Sequence, residues 1–164
     1  MEPLLRRRLN LEKKTEIWID TNIIIYTLRT NAQFSVQARQ LVKDAAAGDF
    51  TLRVSPIMIH ECVFVLQGRQ FGVNKTEIKD ALISLINLKG IDCEEKTVVE
   101  EALINFTGKG IDFGDAYLAA HARAVTPAHV ITYNVKDFLA LGVTVETPEQ
   151  FRTNASNKEN DGEA

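Results

Sequence analysis

Four carboxylates stand where an acid is either a helix cap or a ligand: Asp20, Glu61, Asp115 and Asp137. Asp20 follows the apolar run Ile17-Trp18-Ile19 and precedes Thr21 and Asn22. Glu61 interrupts a stretch that is apolar on most faces, from Ile57 to Leu66. A carboxylate inside a buried helix costs several kcal/mol, roughly, unless it is paired or bound to a metal. Asp115 belongs to Ile111-Asp112-Phe113-Gly114-Asp115-Ala116, and Asp137 to Thr132-Tyr133-Asn134-Val135-Lys136-Asp137-Phe138. Each has a local explanation. Asp20 suits a turn or cap, Glu61 an ion pair with an arginine, and Asp112 with Asp115 a capping box. Asn134 can cap a short helix whose dipole favours Asp137. Jointly they suggest something else. Four acids gathered without bases would repel one another, and a hard divalent cation removes that repulsion. All-oxygen ligands suit Mg²⁺ or Mn²⁺. His60, His121 and His129 match no zinc-ligand spacing.

Distant acids meet only if the elements that carry them end at one edge. Ile17-Trp18-Ile19 reads as a buried strand with Asp20 at its end and Asn22 opening a helix. Ala38, Leu41, Val42 and Ala45 follow helical spacing, and Gly48 closes that helix. Thr51 to Val54 is a second strand, and Ser55-Pro56 starts the helix that holds Glu61. Ile78, Leu82, Leu85 and Ile86 mark the next helix, and Ile91 to Cys93 a weak third strand. Val99, Ala102, Leu103 and Phe106 mark another helix, and Asp112 to Arg123 one that should be deeply packed. His129 to Thr132 and Val143 to Val145 are the last strands, separated by a short helix from Val135. Strands alternating with helices imply parallel pairing through crossovers. The expectation is a three-layer α/β/α sandwich with a parallel sheet of about five strands. Asp20 and Asn134 then follow strands on the same sheet edge, where open α/β sheets form their sites.

The chain has 164 residues, a length that suits one domain with a real core. Residues 16–152 are expected to form it, with a loose charged arm over 1–15 and a disordered tail over 153–164. The net charge of −3 does not advertise a polyanionic partner, although a local basic patch is what matters. Cys62 and Cys93 lack paired spacing and sit in apolar surroundings, so both should be reduced core thiols in a cytoplasmic protein. No apolar stretch approaches the roughly 20 residues of a membrane span. Arg6, Arg7 and Arg8 precede no apolar region of the kind a secretory signal carries.

The order of these motifs, with Asp20-Thr21-Asn22, Glu61, Asp112 to Asp115 and Thr132 to Asp137, resembles the PIN domain. Within that superfamily it looks like the toxin ribonucleases of the VapC type, from type II toxin–antitoxin systems. The resemblance runs from Glu16 to Phe151 and implies a metal-dependent endoribonuclease. It carries over Asp20 and Asp115 as principal ligands of Mg²⁺ or Mn²⁺, with Glu61 as third acid and Asp137 as fourth. Asn22, Asp112, Thr132 and Asn134 would support them. Many PIN domains have an aspartate where this chain has Asn134, so Asn134 and Asp137 compete for the fourth position. Gly114 stands where many relatives have alanine. The resemblance also implies a homodimer and a cognate antitoxin peptide laid across the active-site groove.

An RNA strand would approach over a basic rim, for which Arg29, Arg69, Lys109 and Lys136 are candidates. Tyr26 and Tyr117 could stack on bases or simply pack. Thr21 or Thr132 could orient a water or phosphate. Other α/β classes fit less well. A receiver-like signalling domain needs a second acidic pair near the first strand and a lysine after the fifth. A haloacid-dehalogenase-type phosphatase needs an aspartate where Asn22 stands. The stronger rival is a non-catalytic PIN-like scaffold that binds RNA or protein.

Overall fold

A computed structural model describes residues 14–30, 33–125 and 129–161. The chain divides into two compact units, one running to Lys96 and the other from Thr97. The expected amino-terminal arm lies outside the described residues except at its last two positions.

The first unit is built on β1 (Glu16–Trp18), β2 (Thr51–Val54) and β3 (Ile91–Cys93), paired in parallel in that order. Ile17 sits opposite Leu52, and Leu52 opposite Ile91. Central β2 alternates, sending Leu52 and Val54 fully into the core. The first strand departs from expectation. All three of its residues are exposed, because it lies at one end of the ladder. Trp18 is 56% exposed, and the Arg53 guanidinium lies 5.3 Å from its ring. Ile19, just past the strand, is the residue that turns inward.

Four helices accompany this ladder: α1 (Thr21–Leu28), α2 (Ser35–Ala47), α3 (Pro56–Gln67) and α4 (Lys75–Ile86). α1 packs against α2 and α3, and α2 reaches both β2 and β3. That last approach depends on Gly90. Its φ is +88°, and a Cβ there would lie 2.4 Å from the Ala45 carbonyl. α3 buries one face only, through Ile59, Cys62, Val63 and Leu66. Ile57 and Phe64 remain 66% and 76% exposed, so Glu61, expected inside a buried helix, is in fact exposed. Its apolar neighbours do not all mark the core, because Ile57 and Phe64 face outward.

The second unit opens with α5 (Lys96–Phe106), whose Val99, Ala102, Leu103 and Phe106 are fully buried. Burial of such side chains stabilises by about 1.5–3 kcal/mol each for the larger ones. α6 (Phe113–Ala124) follows, then β4 (His129–Ile131), α7 (Val135–Ala140), β5 (Thr144–Glu146) and α8 (Pro148–Asp161). β4 and β5 pair in parallel, with Val130 opposite Val145. Phe113 meets Phe106 edge-on at 6.3 Å and stacks on Tyr117 at 6.2 Å. Arg123 pairs with Glu101 and donates to the Leu141 carbonyl, tying α6 to α5 and to the end of α7. Leu118, on the helix expected to be packed all round, is 48% exposed.

The fold is α/β with parallel strands throughout. Among the described residues, hydrogen bonding divides five strands three and two, and each is only three or four residues long. The segment from Thr153 to Asp161, expected to be disordered, continues α8. A capping box starts that helix: Thr147 N donates to Gln150 Oε1 at 2.8 Å, and Gln150 N to Thr147 Oγ1 at 3.3 Å. Thr153 Oγ1 then donates to the Glu149 carbonyl.

Candidate active site

In the first unit, Ile19 N still bonds to the Arg53 carbonyl at 3.1 Å, so the ladder runs up to Asp20. Asp20 is the N-cap of α1, with φ −87° and ψ 161°. Its Oδ1 accepts from Thr21 N at 2.7 Å, and its Oδ2 from Asn22 Nδ2 at 2.8 Å. Both carboxylate oxygens are thereby aimed. Thr21 is buried, and its hydroxyl donates to Glu61 Oε2 at 2.8 Å. The packing of α1 on α3 thus brings Glu61 to the Asp20 segment. Their shared field shows on a neighbour: Cys62, fully buried, has its thiol pushed up to about 12, first by burial and then by the charges of Glu61 and Asp20. Asp20, Thr21, Asn22 and Glu61 all line a cavity of about 360 Å³.

In the second unit, Asp112 caps α6 and its Oδ1 accepts from Asp115 N at 2.9 Å. The expected capping box is therefore half formed: Asp112 caps, while the Asp115 side chain turns elsewhere. Asp115 Oδ2 accepts from Asn134 Nδ2 at 2.9 Å, and Asp137 Oδ2 accepts from the same nitrogen at 2.9 Å. Asn134, expected to cap the short helix, makes no side-chain cap bond. Its amide instead gives one hydrogen to each acid, which is all the NH₂ group has. Asn134 N donates to Thr132 Oγ1 at 3.0 Å, which fixes the turn after β4. Burial raises the Asp115 carboxyl above its ordinary 3.8, and the charge of Asp112 raises it further. The Asn134 bond lowers it, and Asp137 adds a smaller upward push.

The site residues named from sequence thus fall into two sets. Asp20, Thr21, Asn22 and Glu61 gather in the first unit, and Asp112, Asp115, Thr132, Asn134 and Asp137 in the second. Both threonine hydroxyls have protein partners, Thr21 to Glu61 and Thr132 to Asn134 N. Of the proposed basic rim, Arg29 lines the cavity beside Asp20, while Arg69, Lys109 and Lys136 are exposed. Tyr26 also lines that cavity, whereas Tyr117 packs on Phe113. Gln70 and Phe71 also line the cavity. They escaped the sequence reading because nothing in the turn after α3 marks them.

The donor set fits a hard divalent cation. Among the described residues, no ion pair joins Asp20, Glu61, Asp115 or Asp137 to a basic side chain. Within either unit, no three His, Cys, Asp or Glu side chains among the described residues make a ligand cluster. Each unit offers an acid pair instead of a cage. Mg²⁺ keeps several waters and is held by one or two carboxylates together with substrate phosphates, so such pairs suit it.

Parallel strands alternating with helices, with acids gathered near helix starts, define the class as an α/β protein. The PIN domain family model matches residues 17–141, about three quarters of the chain. The chain belongs to the PIN domain family, a family of nuclease fold. A comparison with curated proteins finds no matching relative.

Proposed function

We propose that the protein is a Mg²⁺- or Mn²⁺-dependent endoribonuclease, cleaving RNA phosphodiester bonds by hydrolysis. The observation that carries this reading is the pair of acid sets. Four carboxylates are aimed by Thr21, Asn22 and Asn134, yet none is neutralised by a basic side chain among the described residues. In the first unit Asp20 would be the principal metal ligand with Glu61 beside it, and in the second Asp115 with Asp137. When bound, the ion supplies Lewis acidity toward a phosphate oxygen and makes a water more acidic. The protein's part is positional. Thr21 keeps Glu61 turned toward Asp20, Asn22 holds the Asp20 carboxylate in one rotamer, and Asn134 keeps Asp115 and Asp137 on one side of its amide.

The decisive experiment incubates purified protein with single-stranded RNA under Mg²⁺, Mn²⁺ or EDTA. Cleavage with either metal and none in EDTA is expected. No cleavage under any condition would favour the non-catalytic scaffold.

The VapC-like toxin reading adds partners. Two apolar features suit them. A groove in the first unit, about 610 Å³, is lined by Leu28, Val42 and Leu85, with Arg39, Lys43 and Lys89 at its polar margin. In a chain of net charge −3, that margin suits an acidic amphipathic antitoxin segment. The test is whether a small protein encoded immediately upstream co-purifies and silences cleavage. Ile57 and Phe64, exposed on α3, suit a homodimer contact. Light scattering of Phe64→Lys should then read a monomer where the parent protein reads a dimer. Cys62 and Cys93, both buried and neither in a disulfide, accord with a reducing, cytoplasmic setting. No helix among the described residues is long and apolar enough to cross a membrane.

A further inference from the structure

The cavity beside Asp20 and Glu61 has a second wall that the acid chemistry leaves unused. α3 ends at Gly68, whose N–H bonds to the Phe64 and Val65 carbonyls at 3.1 Å each. The chain then folds back on itself. Phe71 N bonds to the Gly68 carbonyl at 3.0 Å, Gly72 N to the same oxygen at 2.8 Å, and Val73 N to the Leu66 carbonyl at 3.0 Å. Gly72 takes φ +58°, which lets the turn close. These bonds hold Gln70 and Phe71 against the cavity.

Tyr26, near the end of α1, and Arg29, its C-cap, line the same cavity. Tyr26 is braced by Phe34, edge-on at 5.4 Å. The Arg29 guanidinium lies 4.9 Å from the Phe71 ring centroid. Carboxylates line the same cavity, yet no ion pair among the described residues takes Arg29 to Asp20 or Glu61. Its charge is set on an aromatic face and left available to an anion.

We propose that Tyr26, Arg29, Gln70 and Phe71 form a subsite for one unpaired nucleotide of a single-stranded RNA. The base stacks against the Tyr26 and Phe71 lining, Arg29 takes the adjoining phosphate, and the Gln70 amide meets the base edge. Unpaired bases are the form of RNA that aromatic and guanidinium planes can stack on. A cavity of about 360 Å³ lies at the small end of ligand pockets, suited to one nucleotide and not to a duplex. The placement next to Asp20 and Glu61 makes this nucleotide a neighbour of the bond to be cut, and that part rests on the nuclease reading.

The test measures fluorescence anisotropy of a labelled single-stranded RNA in EDTA, where metal-dependent cleavage is silent, and of the same sequence as a duplex. Phe71→Leu and Arg29→Ala are each expected to weaken single-strand binding about tenfold and to leave duplex binding unchanged. Arg29→Ala should also lower the salt dependence by about one phosphate contact, and Phe71→Leu should not. Phe71→Tyr keeps the ring and should retain affinity. It also serves as the folding control, together with melting curves. Unchanged affinity in both Phe71→Leu and Arg29→Ala overturns the subsite, and so does a parent protein that binds no single-stranded RNA. Failure of the nuclease reading looks different: RNA binds, depends on Phe71 and Arg29, and is never cut when Mg²⁺ or Mn²⁺ is added.

Discussion

The two acid pairs are held by different means. In the first unit the donors come from the segment that carries the acid: Thr21 N and Asn22 fix Asp20, and Thr21 Oγ1 alone reaches across to Glu61. In the second, one side-chain amide bridges Asp115 and Asp137, nineteen residues from the former and three from the latter. The first arrangement follows from local chain geometry at a helix start, reinforced by a buried hydroxyl. The second depends on tertiary placement of a single exposed residue. The first should therefore be stiff, and the second adjustable and more sensitive to charge.

The largest effect tests whether each pair is catalytic. Asp20→Asn and Asp115→Asn should each lower metal-dependent RNA cleavage by about 10²–10³-fold without unfolding the protein, judged by circular dichroism. Full activity in either variant would mean that its pair is structural. Next comes the buried hydroxyl. Thr21→Val keeps shape and leaves Glu61 without its donor, so turnover should fall about tenfold. A fall as deep as that of Asp20→Asn would show Glu61 to be equal in weight to Asp20.

Smaller effects separate the pairs. Asn134→Asp replaces two hydrogen bonds with charge repulsion, costing about 1 kcal/mol. In EDTA the melting temperature should drop by about 2–4 °C, and Mn²⁺ should restore it. The smallest effect concerns pH. The folded-state carboxyl of Asp115 is raised, so its protonated form is favoured by folding. That contribution is fully present below the ordinary 3.8 and is lost as pH rises through the folded value. Metal-free Asp115→Asn should therefore melt slightly above the parent at neutral pH, and the gap should close in acid below 3.8. A gap that persists there would mean that burial of the Asp115 charge, with repulsion from Asp112 and Asp137, is not its cause.

Much of this arrangement was legible in the residues, for identifiable reasons. Gly48 takes φ +105° and ends α2, as a glycine after a helical run should. Ser55-Pro56 opens α3, and Asp112 caps α6. These are local devices that a sequence states outright. Glu61 was misjudged because Ile57 and Phe64 read like core residues, and apolarity cannot say which face meets the interior. The bridging amide of Asn134 was invisible, since its partner Asp115 lies on another element. The final helix could have been read from Thr147 and Gln150, but its polar remainder offered no apolar stripe to mark it.

Gly90 carries a consequence beyond its own turn. Because the position has no side chain, the Ala45 backbone rests on it, and α2 in turn supports α1, whose first residue seats Asp20. Even the methyl of Gly90→Ala would act as a wedge under α2. The displacement would be felt along a chain of rigid bodies, with Asp20 at its far end, so a mutation remote from the cavity could detune it like a shim beneath an optical mount.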